Sequence, residues 1–425
     1  MLTRWNWLLS RLVRQLWFRA SLVGLLGVAA AVAGVLADRF VPEDWDLEMG
    51  TEAVDNLLTI LASSMLAVTT FSLTTVTTAL GQATTNTSPR ATRLLMQDGV
   101  TQNVLSTFVG AFLFSIVGIV VLQAQAYGEN GRAVMFFATI AVLALVVVSL
   151  LRWIDHLITL GRVGETAGRV ETVARRALRA RKIAPGLGGK LRRPGQPVPT
   201  TSRSVRATEV GYVLHIDMAT IERAAAARDV RVDLAVLPGS FVHPAAPLAW
   251  LDLEETDEEL EACIRTACAV DGSRDYDQDP RFGILVIAEI ASRALSPGIN
   301  DPGTAIDMIS RVTQLLAFWA EHDEDEEQVS YPHVHVPRLE TADLFEDAFA
   351  AIARDGAGVI EVQMRLLKAL AALMSMGDDE FQAAARQQAQ LAFAHARKAL
   401  PLPQEVDRLR ALLPWLEEAH QDAAG

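Results

Sequence analysis

The residues best able to do chemistry lie in two short motifs in the second half of this 425-residue chain. The first motif runs from Gly272 to Gly283, and the second from Arg293 to Ala305. Their candidate ligand-binding side chains combine guanidinium, carboxylate, amide, hydroxyl and aromatic groups: Arg274, Gln278, Asp279, Phe282, Arg293, Ser296, Asn300 and Asp301. Arginine and carboxylate groups in such turns make strong charge-assisted hydrogen bonds, either to a ligand or between two segments of the chain.

The second motif also has the composition of a corner between two helices. Ser296-Pro297-Gly298 is typical of a turn that ends a helix, and Asp301 is a favoured N-cap residue. Pro302 suits the first helical position because its missing N–H needs no partner there. The motif therefore predicts a structural corner, with a ligand or gating site as the alternative.

Catalytic chemistry finds no support in the residue pattern. The chain has no GxGxxG, Walker, GxSxG or HExxH motif, so we predict no enzyme activity. His333 and His335 form an HxH pair, but no third ligand recurs nearby, so we predict no metal site and no cofactor. The spacing of Cys263 and Cys268 favours two reduced structural thiols.

A different kind of candidate lies in an apolar stretch of the first half. On a helix, five side chains fall on one face, which we call the hydroxyl stripe: Thr59, Ser63, Thr70, Thr74 and Thr77. Apolar side chains fall on the opposite face: Leu58, Leu61, Met65, Val68 and Val76. Small hydroxyl residues in membranes usually pack against other helices. The alternative is the lining of a hydrated pore in an oligomer, where hydroxyls contact partly dehydrated ions.

Four apolar runs are long enough to cross a bilayer, which takes roughly 20 residues per helix, and the second run carries the hydroxyl stripe. They are Ala20–Ala37, Ala53–Leu80, Val104–Ala126 and Ala133–Ile154. The first run is followed by charged residues rather than a small-residue cleavage site, so we predict a span and not a signal peptide. No ionisable residue lies near the middle of a run, which argues against a proton-driven transporter.

The distribution of arginines predicts the orientation of these spans. Arg4, Arg11, Arg14 and Arg19 precede the first span, and the loop after it is acidic. Arg90 and Arg93 lie in the second loop, and a basic stretch follows Arg152. We therefore predict a multi-pass protein of the bacterial cytoplasmic (inner) membrane, with both termini in the cytoplasm.

The net charge of −13 conceals a basic stretch from Arg152 to Arg206. Beside a cytoplasmic membrane face, such arginines favour contact with anionic lipid headgroups. The candidates are Arg175, Arg176 and Arg179. No stacking aromatic residues alternate with these basic residues, so we predict no nucleic-acid partner.

The predicted fold class is a mainly α membrane protein, in which four transmembrane helices precede an α+β cytoplasmic domain. Residues 1–160 form the transmembrane domain, and residues 161–204 a basic helix and a Pro/Gly linker. Residues 205–253 alternate as short strands around one helix, which predicts a small β-rich module. Residues 254–425 show helical periodicity and predict a mainly helical domain. The acidic run 323–327 is expected to be a solvated excursion.

Several segments together resemble a bacterial family of predicted membrane proteins known as domain of unknown function 2254. They are the opening strand 211–217, the turn 238–242, the segment 278–283 and the corner 294–302. The resemblance covers nearly the whole chain. It implies the membrane location and the fold described above, and it implies no particular activity.

The sequence supports two functional hypotheses. The first is an oligomeric passive ion channel or mechanically gated pore, lined by the hydroxyl stripe and gated by the cytoplasmic domain. The alternative is a membrane-anchored sensor or scaffold whose cytoplasmic domain binds a partner or small ligand at the Asn300–Asp301 corner. Both imply the lipid bilayer and a second copy of the chain as partners, and the first adds transported ions.

Overall fold

The computed structural model describes residues 16–37, 51–96, 98–124, 129–192, 203–253, 255–321 and 329–414. The chain divides into two compact units. The membrane unit comprises Leu8–Thr85 and Thr92–Glu165, and the C-terminal unit includes Asn86–Ala91 and Thr166–Gly425. The short segment Asn86–Ala91 thus packs with the C-terminal unit, although it joins two parts of the membrane unit along the chain.

Long apolar helices make up the membrane unit. They are α1 (Leu16–Ala37), α2 (Thr51–Asn86), α4 (Gly99–Gln123) and α5 (Glu129–Thr159), with the short α3 (Pro89–Met96) between α2 and α4. Within the described residues, three stretches are long and apolar enough to cross a bilayer: Ala53–Thr85, Gly99–Gln123 and Gly131–Thr159. The predicted first span coincides with helix α1, and its crossing of the membrane stays a prediction.

Close helix packing in the membrane unit depends on small residues. Gly27 of α1 faces Gly110 of α4, and a Cβ atom added at Gly27 would lie only 2.7 Å from the Gly110 carbonyl oxygen. Glycine lets two helices approach this closely because no side chain separates their backbones. The apolar face of α2 is buried in the same unit, where Leu61 and Met65 cluster with Phe108 of α4.

Two sheets organise the described part of the C-terminal unit, which also contains most of helix α6 (Val163–Ile183). The strands are β1 (Gly189–Leu191), β2 (Arg203–Arg206), β3 (Gly211–Ile216), β4 (Val232–Leu234), β5 (Phe241–Val242), β6 (Pro247–Leu251), β7 (Cys268–Asp271) and β8 (Tyr331–Val336). The larger sheet has the order β1-β8-β4-β6-β2, and the smaller has the order β5-β3-β7. Strand β8 pairs in parallel with both β1 and β4, whereas the other pairs are antiparallel.

The sheets recruit strands from outside the predicted β-rich module. Strand β1 lies in the predicted linker, and β7 and β8 lie in the predicted helical domain. Strand β8 occupies an interior position, and its Val334 and Val336 side chains are fully buried. A parallel strand pair is not marked by a hairpin turn in the sequence, because the partner strand comes from a distant part of the chain. Residues 193–202 of the predicted linker and the acidic run 323–327 lie outside the described residues.

Helices cover the rest of the unit. Between β3 and β4 lies α7 (Met218–Ala226), and α8 (Glu258–Ala267) leads directly into β7. The later helices are α9 (Pro280–Ala294), α10 (Pro302–Ala320), α11 (Thr341–Asp355), α12 (Ile360–Leu373), α13 (Asp379–Ala399) and α14 (Pro403–Arg410). The chain turns at Gly356, between α11 and α12.

Candidate functional site

The first motif closes around Asp279, the residue that caps helix α9. Its Oδ1 atom accepts hydrogen bonds from the backbone N–H groups of Arg281 at 3.1 Å and Phe282 at 3.2 Å. Its Oδ2 atom accepts a hydrogen bond from Nε of Arg274 at 2.7 Å. Only 3% of Asp279 is exposed. Burial raises the pKa of Asp279, although Arg274 and the two backbone N–H groups oppose the rise.

A glycine turn covers the same carboxylate. Gly239 adopts a positive φ of 98°, and a Cβ atom at this position would overlap the Asp279 carboxyl group. Both facts require glycine here, because an L side chain is strained at this φ and has no room. The Pro238–Gly239 turn, predicted from sequence, therefore lies directly against the Asp279 cap.

A second arginine approaches the cap from helix α6. Arg181 is 3% exposed, and its Nη2 donates to the backbone carbonyl of Gln278 at 3.5 Å. Burial lowers the pKa of Arg181 to about 10, while the charge of Asp279 acts in the opposite direction. The Gln278 side-chain oxygen accepts from the backbone N–H of Ile216 in β3 at 3.4 Å. Arg274, Gln278 and Asp279 therefore join a helix, a strand and a turn.

A cavity of about 360 Å³ lies beside this cap. Its walls come from the turn 237–241, from Arg274 and Arg281, and from residues 337–340 with Asp343. Arg281 donates from Nε to Asp347 at 2.6 Å and from Nη1 to Asp343. Burial would lower the pKa of Arg281, but its bonds to Asp347 and Asp343 produce a net rise.

Some guanidinium N–H groups at the cavity are not used in hydrogen bonds within the described part of the chain. Arg274 uses its Nε atom for Asp279, and its Cζ atom lies 5.2 Å from the ring centroid of Phe282. Its two terminal nitrogens donate to no acceptor among the described residues. The third arginine of the cavity, Arg338, lies 3.3 Å from Glu380. Because carboxylates balance these charges, the cavity offers directed N–H donors more than net positive charge.

The second motif forms the predicted corner at the other end of α9. The helix ends at Ala294, and Asp301 caps α10 with a hydrogen bond from the Thr304 backbone N–H at 3.0 Å. The Thr304 hydroxyl group, which also bonds Asp301, lowers the pKa of this carboxyl. Ser296 donates to the Arg293 carbonyl at 2.6 Å, and Asn300 has a positive φ of 51°.

The structure therefore separates the two motifs instead of combining them. The 15 residues of α9 lie between Asp279 and the corner, a distance of roughly 22 Å at 1.5 Å per residue. Arg293, Asn300 and Asp301 are exposed. The expectation that the Asn300–Asp301 corner faces a ligand pocket is not met by the cavity described above, because no corner residue lines it.

The hydroxyl stripe is exposed on the surface of the described chain. Thr59, Ser63, Thr70, Thr74 and Thr77 are all exposed, whereas Leu58, Leu61, Met65 and Val76 opposite them are buried. Four stripe hydroxyls donate to the backbone carbonyl four residues earlier, from Ser63 at 2.9 Å, Thr70 at 2.9 Å, Thr74 at 3.0 Å and Thr77 at 2.8 Å. The apolar side chains of Leu66, Phe71 and Leu73 are exposed on α2 as well, so its exposed side is mixed, and the pore-lining role of the stripe stays a prediction.

The three candidate lipid-binding arginines differ in their surroundings. Arg175 packs within the C-terminal unit, where its Cζ atom lies 5.4 Å from the ring centroid of Phe318. Arg176 and Arg179 are exposed. Contact with lipid headgroups remains a prediction for all three residues.

The remaining candidates have structural partners. His333 Nδ1 lies 2.8 Å from Glu222, and this hydrogen bond raises the pKa of His333. Burial lowers the pKa of His335. Among the described residues, no group of three His, Cys, Asp or Glu side chains could hold a metal ion. Both cysteines are free thiols, and burial raises the pKa of Cys268 to about 12.

Sequence reasoning missed several residues of the cavity and its surroundings. Arg281 stands inside the Gln278–Gly283 segment, so its position there was a usable signal. Tyr276 also lies in the first motif, and its ring centroid is 4.5 Å from that of Phe282. Arg338 lies in no motif, and only the folded chain brings it to the cavity.

Comparison with known proteins agrees with the long apolar helices. The family model described as "Predicted membrane protein (DUF2254)" matches residues 13–372. Uncharacterized proteins of Mycobacterium bovis and Mycobacterium tuberculosis are 28% identical over 277 residues, or 58% of this chain. These residues make up 49% of each relative, so the chain spans about half the length of the curated relatives it matches. No solved structure matches the chain. Since the family model covers most of its length, this chain belongs to the DUF2254 family of predicted membrane proteins.

Proposed function

We propose that this protein is an oligomeric passive ion channel or mechanically gated pore, lined by helix α2 and gated by the C-terminal unit. In this proposal the protein lies in the bacterial inner membrane with both termini in the cytoplasm. The observation that carries the proposal is the hydroxyl stripe, which is exposed while the opposite face of α2 is buried.

Exposure of the stripe has a physical consequence in a bilayer. An exposed face of a spanning helix must meet lipid, another protein surface or water. The row of hydroxyl groups gains least from lipid, so a second copy of the chain or a hydrated lumen is the better environment.

The bonding of the hydroxyls favours cations in that lumen. Thr70 and Thr74 donate their O–H groups to their own helix, so each side-chain oxygen keeps lone pairs for an outside partner. Oxygen lone pairs can replace part of the hydration shell of a cation. No fixed charge is needed, in line with the absence of ionisable residues from the middle of the predicted spans.

Reconstitution tests this function directly. The purified protein in liposomes or planar bilayers should pass ions under voltage or tension. The double change Thr70→Leu and Thr74→Leu should lower the flux about tenfold, because it replaces acceptor oxygens with hydrocarbon.

Thr75→Leu is the matched control for this experiment. Thr75 makes the same bond to the carbonyl four residues earlier, at 2.9 Å, but lies about 100° around the helix from Thr74. Its replacement should leave the flux nearly unchanged. A wild-type protein without conductance at any voltage or tension would overturn the channel proposal, and so would equal losses in the two variants.

The second candidate function is a membrane-anchored sensor or scaffold, and the cavity beside Asp279 is the observation that favours it. In this cavity, the N–H groups of Arg274 that are not bonded to Asp279 could donate hydrogen bonds to a small oxyanion with several acceptor atoms. Inorganic phosphate is a suitable probe for the full-length protein in detergent. Saturable thermal stabilisation by phosphate, lost in Arg338→Ala but kept in Arg354→Ala, is expected. Equal stabilisation by chloride at the same ionic strength would contradict it.

A further inference from the structure

We propose that the cavity beside Asp279 binds a zwitterionic α-amino acid with an apolar side chain. The inference rests on the second candidate function above, and it extends the ligand from a small oxyanion to a class of molecule with three recognisable parts. Every residue that lines the cavity belongs to the C-terminal unit, so the site does not depend on the membrane unit.

Two groups of opposite charge line the cavity without a partner. The two terminal nitrogens of Arg274 donate to no acceptor among the described residues. Glu340 is the N-cap residue of α11 but makes no side-chain cap hydrogen bond, and its carboxylate has no other hydrogen bond or ion pair within the described ranges. The cavity therefore presents one cationic and one anionic group that a ligand can pair.

The geometry of Arg274 suits a carboxylate. Its Nε atom donates to Asp279 at 2.7 Å, its Cζ atom lies 5.2 Å from the Phe282 ring centroid, and its side chain is only 15% exposed. The guanidinium is thus held in place before a ligand arrives. Its two terminal nitrogens form a planar fork that matches the two oxygens of a carboxylate, and little side-chain freedom is lost on binding.

The other charges of the cavity favour a zwitterion over an anion. Arg281 is already bonded to Asp343 and Asp347, and Arg338 lies 3.3 Å from Glu380. A dianion would bring further negative charge to the carboxylates that line the cavity, and like charges in contact are unfavourable. An α-amino acid balances its carboxylate with an ammonium group, which can pair with Glu340. Inorganic phosphate occupies only the oxyanion position of such a site.

Apolar residues provide room for a side chain. The volume of about 360 Å³ is far larger than the roughly 30 Å³ of one water molecule and lies within the range of small-molecule pockets. The apolar lining comprises Ala235, Leu237, Pro238, Phe241, Pro337 and Leu339. Phe241 is 56% exposed, and one edge-to-face contact joins its ring to Tyr212 at 5.2 Å. An apolar ligand side chain would cover this ring.

A ligand series on the wild-type protein tests the three parts separately. Isothermal titration calorimetry of the full-length protein in detergent compares L-phenylalanine with 3-phenylpropanoate, which lacks the ammonium, and with phenethylamine, which lacks the carboxylate. We expect 3-phenylpropanoate to bind about fivefold more weakly and phenethylamine about tenfold more weakly than phenylalanine. Glycine, which lacks the apolar side chain, should also bind about tenfold more weakly.

Two substitutions of exposed residues assign these parts to the cavity. Glu340→Gln should weaken phenylalanine about fivefold without weakening 3-phenylpropanoate, because only phenylalanine carries an ammonium group. The matched control is Glu361→Gln, an exposed glutamate in the first turn of α12, which should bind both ligands like the wild type. Phe241→Ala should weaken phenylalanine several-fold and leave glycine unchanged.

The outcomes separate this inference from the sensor function itself. Equal affinities of phenylalanine and 3-phenylpropanoate for the wild type would overturn the amino-acid site, and so would equal losses of both ligands in Glu340→Gln. Stabilisation by phosphate without binding of phenylalanine would overturn the inference while the sensor candidate stands. Binding of neither would remove both. Tighter binding of glycerophosphoethanolamine than of phenylalanine would assign the site to a lipid headgroup and also overturn the inference.

Discussion

Helices α9 and α10 share an Asp N-cap followed by Pro at the first helical position, yet the two Asp-Pro pairs lie in opposite environments. Asp279 and Asp301 both accept backbone N–H bonds in the first turn, and Pro280 and Pro302 both occupy the first helical position. Asp279 is 3% exposed beneath a turn and beside two arginines, whereas Asp301 is exposed. An identical local signature can therefore serve as a buried tertiary junction or as a surface cap.

The pKa values of the two carboxyls diverge accordingly. Burial raises the pKa of Asp279, and the Thr304 hydroxyl group lowers the pKa of Asp301. The neighbours that the folded chain brings to each carboxyl decide the direction of each shift. The capping bonds themselves are common to both residues.

Replacement of the two aspartates should sharpen this contrast most strongly. We expect Asp279→Ala to lower the free energy of unfolding by about 3–5 kcal/mol, because it leaves the partly buried Arg274 and the buried Arg181 without their carboxylate. Asp301→Ala should lower it by about 1 kcal/mol, the usual value of an N-cap. The measurement is urea-dependent labelling of the buried Cys268 thiol in a Cys263→Ala background, in detergent.

Equal losses in these two variants would show that burial adds nothing at Asp279. Cys268 suits the measurement because it is 5% exposed and lies in the C-terminal unit, in strand β7. Its labelling therefore reports unfolding of the unit that contains both aspartates.

The glycines beside the two caps provide the next test. Gly239 needs its positive φ and lies against the Asp279 carboxylate, so Gly239→Ala should cost about 1–3 kcal/mol. Gly298, in the corner before Asp301, has open space around it, and Gly298→Ala should change stability by less than about 0.5 kcal/mol. The same thiol assay compares them, and a Gly298 loss as large as that of Gly239 would contradict the asymmetry.

The smallest expected effect is a difference in pH dependence. The folded-state pKa of Asp301 is lowered, so its stabilisation is present above the unfolded pKa of about 3.8 and is lost as the pH falls through the folded value. The folded-state pKa of Asp279 is raised, so its favourable contribution is present below about pH 3.8 and is lost as the pH rises through the folded value.

Asparagine variants keep the caps and remove these titrations. Between about pH 3 and 6, the stability difference between wild type and Asp301→Asn should grow with pH, and that for Asp279→Asn should shrink. Thiol labelling at neutral pH after acid incubation measures the fraction unfolded. Slopes of the same sign in the two variants would rule out opposite shifts.

The same contrast explains which parts of the site could be predicted from sequence. The Asp301 cap and the Pro238–Gly239 turn depend on neighbours within a few residues, so their patterns are visible in the sequence. Arg181 and Arg338 come from separate elements, and nothing in their local sequence indicates that they approach the first motif or its cavity. Strand β8 was missed for the same reason, since its partners are far away in sequence.

The sequence by itself determined the long apolar helices and the starts and ends of the helices around the corner. Helical periodicity, hydropathy and capping act over a few residues or depend on the solvent alone, so they need no knowledge of the fold. Only the tertiary structure decided that Asp279 is buried, that a cavity opens beside it, and that residues 86–91 pack with the C-terminal unit. These outcomes depend on contacts between segments separated by up to about 200 residues, and the local amino-acid sequence does not indicate such partners.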